Sequence, residues 1–208
     1  MKRGVFIVIE GVDRSGKTSQ CHRIVERLNA EDITAKFYGF PNRTTQIGQQ
    51  INKYLQNATE IENHCVHLLF SANRWELSKS ILEDLKNGVN IICDRYIASG
   101  VAYSVTRGLD MEWCIHSDKG LPAPDVTFQL ELPIEEQMRR AGFGEERLET
   151  REFQQSVAEA FRRLSSEFYP YTWTPVSALG SIDEVHERLY GLVKNAISDC
   201  CAHPYQYF

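Results

Sequence analysis

Short apolar runs alternate along the chain with amphipathic stretches, and this alternation predicts a sheet layered between helices. Four runs predict strands, at residues 5–9, 33–40, 89–93 and 126–132. The uninterrupted apolar run at residues 5–9 is typical of a parallel strand that is buried on both faces. Residues 171–178 predict a weaker fifth strand, and Pro175 disfavours a central position for it because proline cannot donate to a sheet ladder.

Helix signals fill the intervals between these runs. Residues 59–62 read Thr-Glu-Ile-Glu and residues 181–184 read Ser-Ile-Asp-Glu, and both fit the capping box that opens a helix. The first box predicts a long helix that ends at Asn87-Gly88, where glycine permits a left-handed turn. Strand–helix alternation without a linker or repeat predicts an α/β fold, with a five-stranded parallel sheet and helices on both faces.

The predicted long helix is apolar on two sides. One side carries Ile61, Cys65, Leu68, Ala72, Trp75 and Leu82, and the opposite side carries Phe70, Leu77 and Ile81 together with Arg74. The sheet can cover one side only. A ligand pocket, a second subunit or both must therefore cover the other.

Composition indicates one domain over residues 1–208 with a sizeable core, since 42% of the residues are apolar. No run approaches the ~18 apolar residues of a membrane span, and the apolar run at residues 5–9 is too short for a signal peptide. The net charge of −5 argues against a nucleic-acid or membrane surface. We expect a cytoplasmic protein in which Cys65 and Cys93 are reduced core residues. Cys200 and Cys201 suggest no role.

The most specific signal is the octapeptide at residues 11–18, Gly-Val-Asp-Arg-Ser-Gly-Lys-Thr, which stands between a predicted strand and a predicted helix. It fits the phosphate-loop pattern, in which Gly11 and Gly16 let backbone N–H groups point at an anion. Lys17 can reach the β- and γ-phosphates of a nucleotide, and the Thr18 hydroxyl can bind Mg²⁺. A structural glycine turn is the alternative interpretation.

Further charged motifs follow the predicted strands. Asp94-Arg95 ends the third strand, where a magnesium-organising carboxylate and a phosphate-binding guanidinium are needed, although such a pair is more often a surface turn. Phe40-Pro-Asn-Arg43 ends the second strand and is otherwise a simple proline turn. The glycine- and charge-rich residues 139–151 suggest a lid over the transferring group, with a solvated helix connection as the alternative.

One turn of the long helix places Phe70 beside Arg74. An aromatic ring next to a guanidinium can stack a flat ligand and donate hydrogen bonds to its edge. From these two residues alone, the alternative of a core phenylalanine with an arginine in a solvated ion pair is favoured.

Together these motifs resemble those of the thymidylate kinase family. The resemblance covers residues 4 to about 195 and adds Leu-Leu-Phe-Ser-Ala-Asn-Arg-Trp-Glu at 68–76, Ser-Gly-Val-Ala-Tyr at 99–103, Gly-Leu-Pro-Ala-Pro-Asp at 120–125 and Phe-Gly-Glu-Glu-Arg at 143–147. It implies a P-loop nucleoside monophosphate kinase fold and transfer of the ATP γ-phosphoryl group to dTMP, giving dTDP, with Mg²⁺. It also implies a homodimer. Arg14 inside the phosphate loop resembles the eukaryotic type.

The resemblance also implies a role for each matching residue. The catalytic residues would be Arg14, Lys17, Asp94 and Arg95, and the metal would be held by Thr18 and Asp94. ATP would be bound by Gly11, Ser15, Gly16, Lys17, Thr18, Ser19 and Arg140, with Arg140 stacked on adenine. The dTMP site would comprise Asp13, Phe40, Arg43, Phe70, Arg74, Arg95, Gly100, Tyr103 and Gln154. The lid residues would be Glu145, Arg147 and Glu149.

Two positions depart from the family pattern. Leu148 stands where a tyrosine usually follows the lid Glu-Arg, and Ala98 stands where relatives often carry phenylalanine. Substrate breadth could therefore extend to dUMP or other deoxynucleotides. A nucleoside kinase would need an acidic base in the pocket, whereas this chain offers arginines. A silent nucleotide-binding scaffold would be expected to have lost Lys17 or Asp94, and both are present.

Overall fold

A parallel sheet of five strands forms the centre of the computed structural model, which describes residues 3–168, 172–200 and 204–208. The strands are β1 (Phe6–Gly11), β2 (Ala35–Gly39), β3 (Asn90–Asp94), β4 (Val126–Glu131) and β5 (Thr172–Ser177). Their order across the sheet is β2-β3-β1-β4-β5. The predicted α/β class with a five-stranded parallel sheet is confirmed.

Helices cover both faces of this sheet. They are α1 (Lys17–Ala30), α2 (Gln46–Leu55), α3 (Asn63–Lys86), α4 (Ile97–Thr106), α5 (Met111–His116), α6 (Ile134–Met138), α7 (Arg151–Arg163) and α8 (Ile182–Cys200), with a π-helical turn at Leu164–Phe168. Alternate residues of β1 enter different cores: Phe6 packs in the cluster that includes residues of α3, α4 and α7, and Ile7 packs in the cluster formed with α1 and α8. This alternation is why the strand is apolar from Phe6 to Ile9.

The strand containing Pro175 lies at the edge of the sheet, next to β4 only. The expectation that this strand is not central is confirmed, because an edge strand needs no backbone donor toward the solvent side. Residue 171, where the prediction began, lies outside the described residues. The predicted capping box at 181–184 is also confirmed: Ser181 N donates to Glu184 Oε2 over 2.7 Å, and Glu184 N donates to Ser181 Oγ over 3.2 Å.

The start of α3 differs from the prediction. The helix begins at Asn63, and Glu62 is its N-cap, with a carboxylate that accepts hydrogen bonds from the backbone N–H groups of His64 and Cys65. The box expected from Thr59 is therefore wrong, because a carboxylate one turn later satisfies the free N–H groups. Cys93 is buried as expected, but Cys65 is exposed and does not belong to the core.

The two apolar sides of α3 have different surroundings. Ile81 and Arg74 are almost completely buried against the rest of the protein. On the other side, Leu68 is 48% exposed and Trp75 is 41% exposed. The described part of the chain thus covers only one of the two sides. No helix within residues 3–168, 172–200 and 204–208 is long and apolar enough to cross a membrane.

Candidate active site

The phosphate loop connects β1 directly to α1. Gly11 has φ 142° and Gly16 has φ 94°, and a Cβ atom on Gly11 would lie 2.5 Å from the carbonyl oxygen of Leu130. Lys17 Nζ lies inside the loop, 2.6 Å from Val12 O and 3.2 Å from Ser15 Oγ. Burial, with the charge of Arg95 nearby, lowers the pKa of Lys17 to about 8. The loop thus holds a buried amine where an anion would stabilise its charge.

Thr18 and Asp94 meet where the first turn of α1 faces the end of β3. Thr18 Oγ1 donates a hydrogen bond to Asp94 Oδ2. Asp94 Oδ1 is buried and has no hydrogen-bond partner among the described residues. A hydroxyl and a carboxylate with a free oxygen fit Mg²⁺, which takes oxygen ligands and keeps several waters. The described ranges contain no group of three or more His, Cys, Asp or Glu side chains that could hold a metal by themselves.

Residues 139–150 cross over the phosphate loop. Arg14 Nε donates to Glu149 Oε1 over 2.8 Å, and Arg14 Nη2 donates to Gly142 O over 2.6 Å. Glu149 Oε2 also accepts from the backbone N–H of Gly144, 2.9 Å away, so the carboxylate shapes the segment from within. Arg140 Nη1 donates to Arg14 O over 2.8 Å. Arginines of the two segments therefore hold them together.

The other two predicted lid residues lie in different surroundings. Glu145 is largely exposed, and one of its carboxylate oxygens is 3.5 Å from Arg14 Nη2. Arg147 turns away from the phosphate loop, donates to Tyr54 O over 3.0 Å and pairs with Glu60 at 2.6 Å. It anchors the segment to the end of α2. Ser19 lies in the first turn of α1 with an exposed side chain.

Arg95 and Asp13 form the floor of the cleft beside the loop. Arg95 Nη2 is 2.5 Å from Asp13 Oδ1, and Arg95 Nη1 donates to Gly11 O and to Ser99 Oγ over 2.9 and 3.0 Å. Gln154 Nε2 donates to Asp13 Oδ2 over 2.6 Å. Both carboxylate oxygens of Asp13 are therefore engaged. Gln154 is buried behind Asp13 and does not line the adjoining pocket.

A pocket with a cavity volume of about 110 Å³ opens between α2, α3, α4 and the segment 139–150. Its wall contains eight of the nine residues predicted for the substrate site, namely Asp13, Phe40, Arg43, Phe70, Arg74, Arg95, Gly100 and Tyr103. An adjoining cleft that shares Arg43 and Arg95 with this pocket reaches Thr18 and Asp94. The structure thus brings a pocket lined by arginine and aromatic side chains next to the phosphate loop.

Arg74 reaches the pocket from an almost completely buried position on α3. Its Nη2 and Nε atoms donate to the two oxygens of Asp118 over 2.6 and 3.1 Å. A Cβ atom on Gly100 would lie 2.7 Å from Arg74 Nη1, so glycine at position 100 leaves room for the guanidinium. Asp118 thus fixes the guanidinium beside Gly100, and both Arg74 and Gly100 line the pocket.

Comparisons with known proteins agree with this geometry. A family model described as thymidylate kinase matches residues 9–189. Thymidylate kinase from Dictyostelium discoideum is 45% identical over 91% of this chain and 84% of its own, and the Homo sapiens protein is 41% identical over 98% and 96%. The solved thymidylate kinase from Candida albicans superimposes with a TM-score of 0.86 at 35% identity, covering 100% of this chain and 99% of its own.

The chain belongs to the thymidylate kinase family. The predicted family and the P-loop nucleoside monophosphate kinase fold are therefore confirmed. The matches extend over eukaryotic thymidylate kinases, and they do not favour the alternative of a broader deoxynucleoside monophosphate kinase.

Three residues of this thymidylate kinase site were missed by sequence reasoning. Glu10 is completely buried at the end of β1, and burial raises the pKa of its carboxyl group. Its Oε1 accepts from Tyr96 N and Ser99 N over 2.9 and 3.0 Å, and its Oε2 accepts from Ser99 Oγ over 2.5 Å. A charged residue inside an apolar strand was a visible signal for it.

Asp118 and Arg107 are the other two residues of the site that sequence reasoning missed. Asp118 lies in a polar loop, and no local pattern relates it to Arg74, which is 44 positions away. Arg107 follows the last residue of α4 and lines the substrate pocket. It stands four residues after Tyr103, so the helical period was a usable signal.

Proposed function

We propose that this chain transfers the γ-phosphoryl group of ATP to dTMP and releases dTDP and ADP. One observation carries the proposal: Arg43, Arg95, Phe70 and Arg74 line a single pocket that opens toward the phosphate loop. Two of these arginines suit a phosphate, and the other pair suits a flat base. The acceptor that combines both chemistries is a nucleoside monophosphate.

The phosphate end of the proposed acceptor lies at Arg95 and Arg43. Arg95 is fixed by Asp13, Gly11 and Ser99, so its guanidinium needs no reorganisation when an anion arrives. A nucleoside kinase would instead need a free carboxylate to take a hydroxyl proton. Both oxygens of Asp13 already accept hydrogen bonds, which favours an acceptor that is phosphorylated before it binds.

The base end lies at Phe70 and Arg74. Phe70 offers a ring for stacking, and Arg74 Nη1 can donate to a carbonyl oxygen at the edge of the base. Tyr103 lies on the α4 wall of the same pocket, with its ring centroid 5.3 Å from Arg95 Cζ. We assign it to the deoxyribose, where its bulk would oppose a 2′-hydroxyl.

ATP is proposed to bind through the phosphate loop, with Arg140 against adenine and Lys17 on the β- and γ-phosphates. Mg²⁺ would be held by Thr18 and, directly or through water, by Asp94, and it would neutralise phosphate charge when bound. An oxygen of the acceptor phosphate forms the new bond to the γ-phosphorus. The bond to the bridging oxygen breaks, and its electrons leave with ADP. Lys17, Arg14 and Arg95 offset the charge that develops.

The segment 139–151 is proposed to act as a lid within one domain that spans residues 1–208. The ion pair between Arg14 and Glu149 supports this role, because it links the segment to the phosphate loop at the position of the transferring group. A closed segment there excludes water and so limits ATP hydrolysis.

ATP consumption with Mg²⁺ should be measured against dTMP, dUMP, dCMP, dGMP, UMP and thymidine. The proposal predicts strong activity with dTMP, weaker activity with dUMP and none with thymidine. Activity with thymidine would overturn the assignment of a phosphorylated acceptor. Measurable ATP binding without any transfer would favour a nucleotide-binding scaffold.

We further propose a homodimer located in the cytoplasm. The exposed Leu68 and Trp75 on α3 form, with the partly exposed Trp113, an apolar surface that a second copy can cover. The buried free thiols of Cys21, Cys93 and Cys114 suit a reducing compartment. Light scattering at micromolar concentration should give twice the mass of one chain for the wild-type protein. For Trp75→Glu it should give the mass of one chain. A wild-type monomer would exclude the dimer.

A further inference from the structure

Four arginines line the proposed substrate pocket, and one differs from the others in its partners. Arg43, Arg74 and Arg95 each form an ion pair, with Glu146, Asp118 and Asp13 respectively. Arg107 has no carboxylate within 4.0 Å among the described residues. A partly buried guanidinium without a counter-ion is costly unless a ligand completes its hydrogen bonds.

The Arg107 guanidinium carries five N–H groups, and two of them donate hydrogen bonds to the described residues. Nη1 donates to Tyr54 Oη over 3.2 Å, and Nη2 donates to Ser104 Oγ over 3.1 Å. The Nε atom is buried and has no hydrogen-bond partner within the described ranges. Both contacts are with neutral hydroxyl groups, so they fix the guanidinium in place without neutralising it.

The position of Arg107 at the C-terminal end of α4 indicates which part of the ligand it meets. Arg95 precedes α4 and Arg107 is its C-cap, and both residues line the pocket together with Ser99 and Tyr103 of the helix. Arg95, the proposed phosphate ligand, and Arg107 therefore stand at opposite ends of α4. Arg107 Nη2 donates to Ser104 Oγ, so the guanidinium lies back along the last turn of the helix.

We propose that Arg107 is a second base-reading residue, which donates a hydrogen bond to a carbonyl oxygen of a 2,4-dioxopyrimidine. This inference rests on the proposed function, in which Arg74 contacts the base edge. With Arg74 and Arg107, the base end of the pocket presents two guanidinium groups. Donors of this kind match a base that carries two carbonyl acceptors, and they leave an exocyclic amino group without an acceptor.

A merely structural role for Arg107 would be to tie the end of α4 to Tyr54 on α2. Substrates altered at single atoms separate the two roles. In 2-thio-dTMP and in 4-thio-dTMP, one carbonyl oxygen is replaced by sulfur, which is a weaker acceptor. If Arg107 donates to that oxygen, removing the arginine costs less with the analogue than with dTMP. Loss of a structural tie lowers the activity with all three substrates by the same factor.

The experiment is to measure kcat/KM for dTMP and the two thio analogues with wild-type protein and with Arg107→Met. We expect kcat/KM of the variant to fall roughly tenfold with dTMP. With one of the analogues, the factor by which kcat/KM falls should be smaller by at least about threefold. The analogue that shows the smaller loss identifies the oxygen. Equal losses with all three substrates would overturn the inference. Tyr54→Phe is the matched control, because it cuts the tie between α4 and α2 but keeps the guanidinium and its contact with Ser104, so it should affect the three substrates equally.

A folding defect of the variant and a failure of the proposed function can each be distinguished from a failure of the role proposed for Arg107. If thermal unfolding shows that Arg107→Met is not folded, the same comparison is made with Arg107→Lys, which retains the charge and removes the Nε donor. If the wild-type protein transfers no phosphate to dTMP, the proposed function itself fails. If it does transfer and both Arg107 variants respond equally to the three substrates, only the role of Arg107 is excluded.

Discussion

Asp118 accepts hydrogen bonds from both Nε and Nη2 of Arg74, and neither side chain is more than 2% exposed. The pair joins the loop after α5 to the middle of α3. A planar guanidinium held at two nitrogens has little freedom left, so Asp118 determines where Nη1 meets the pocket.

Replacing Asp118 with Asn should therefore affect both stability and substrate use. Breaking a buried ion pair leaves an uncompensated charge, and we expect the free energy of unfolding to fall by about 3 kcal/mol or more. The KM for dTMP should rise strongly while the KM for ATP stays nearly constant. Chemical denaturation and steady-state kinetics measure the two effects.

The matched control is Glu83→Gln, which breaks an exposed pair with Lys79 whose atoms are 3.9 Å apart. An exposed pair at this distance should change the free energy of unfolding by less than about 0.5 kcal/mol. Similar stability for Asp118→Asn and Glu83→Gln would contradict the importance given to the buried pair.

The pattern of the sequence predicted the sheet well, because strands buried on both faces carry unbroken apolar stretches, as Phe6–Ile9 of β1 and Ile91–Cys93 of β3 do. The phosphate loop and the residues after the strands were also predictable, since parallel strands deliver their carboxyl ends to one edge. Asp118 was not predictable, because its partner is distant in sequence and its own segment has no periodicity. Cys65 was misplaced because periodicity shows that a side of α3 is apolar but not what covers it.

Glu10 connects β1 to the proposed phosphate-binding arginine through Ser99. In Glu10→Gln, the amide retains Oε1 but replaces the acceptor Oε2 with a donor. The Ser99 hydroxyl proton would then lose its acceptor, and the hydroxyl that accepts from Arg95 Nη1 would have to reorient. We expect kcat/KM for dTMP to fall about tenfold, with little change in the KM for ATP.

Ser99→Ala tests the same connection from its other end. Because both substitutions remove one bridge, the double variant should lose little more activity than either single variant. Fully multiplicative losses in the double variant would show that Glu10 does not act through Ser99.

Glu149 should control the proposed lid through four contacts. It accepts from Arg14 and from the backbone N–H groups of Gly144, Glu145 and Glu146. In Glu149→Ala these donors lose their acceptor, and we expect faster hydrogen exchange at residues 140–149 together with at least tenfold lower kcat.

Glu145→Ala is the corresponding control on the same segment. The Glu145 carboxylate is 74% exposed and 3.5 Å from Arg14 Nη2, so its removal should change kcat by less than about threefold. Equal effects of the two substitutions would mean that the charge of the segment matters and that the internal contacts of Glu149 do not.

Lys17 gives the site a defined pH dependence. Burial lowers the pKa of its amine from 10.5 to about 8, so the amine loses its proton between these values in the folded protein but not in the unfolded chain. The triphosphate of ATP favours the protonated form. ATP affinity should therefore be constant below pH about 8 and fall by up to roughly tenfold per pH unit above it.

Calorimetric titration between pH 7 and 9.5 should also detect proton uptake on binding near pH 8. Lys17→Arg is the control, because a guanidinium remains charged throughout this range and its weaker affinity should not vary with pH. An affinity of the wild-type protein that is equally constant to pH 9.5 would exclude Lys17 as the titrating contact of the phosphates.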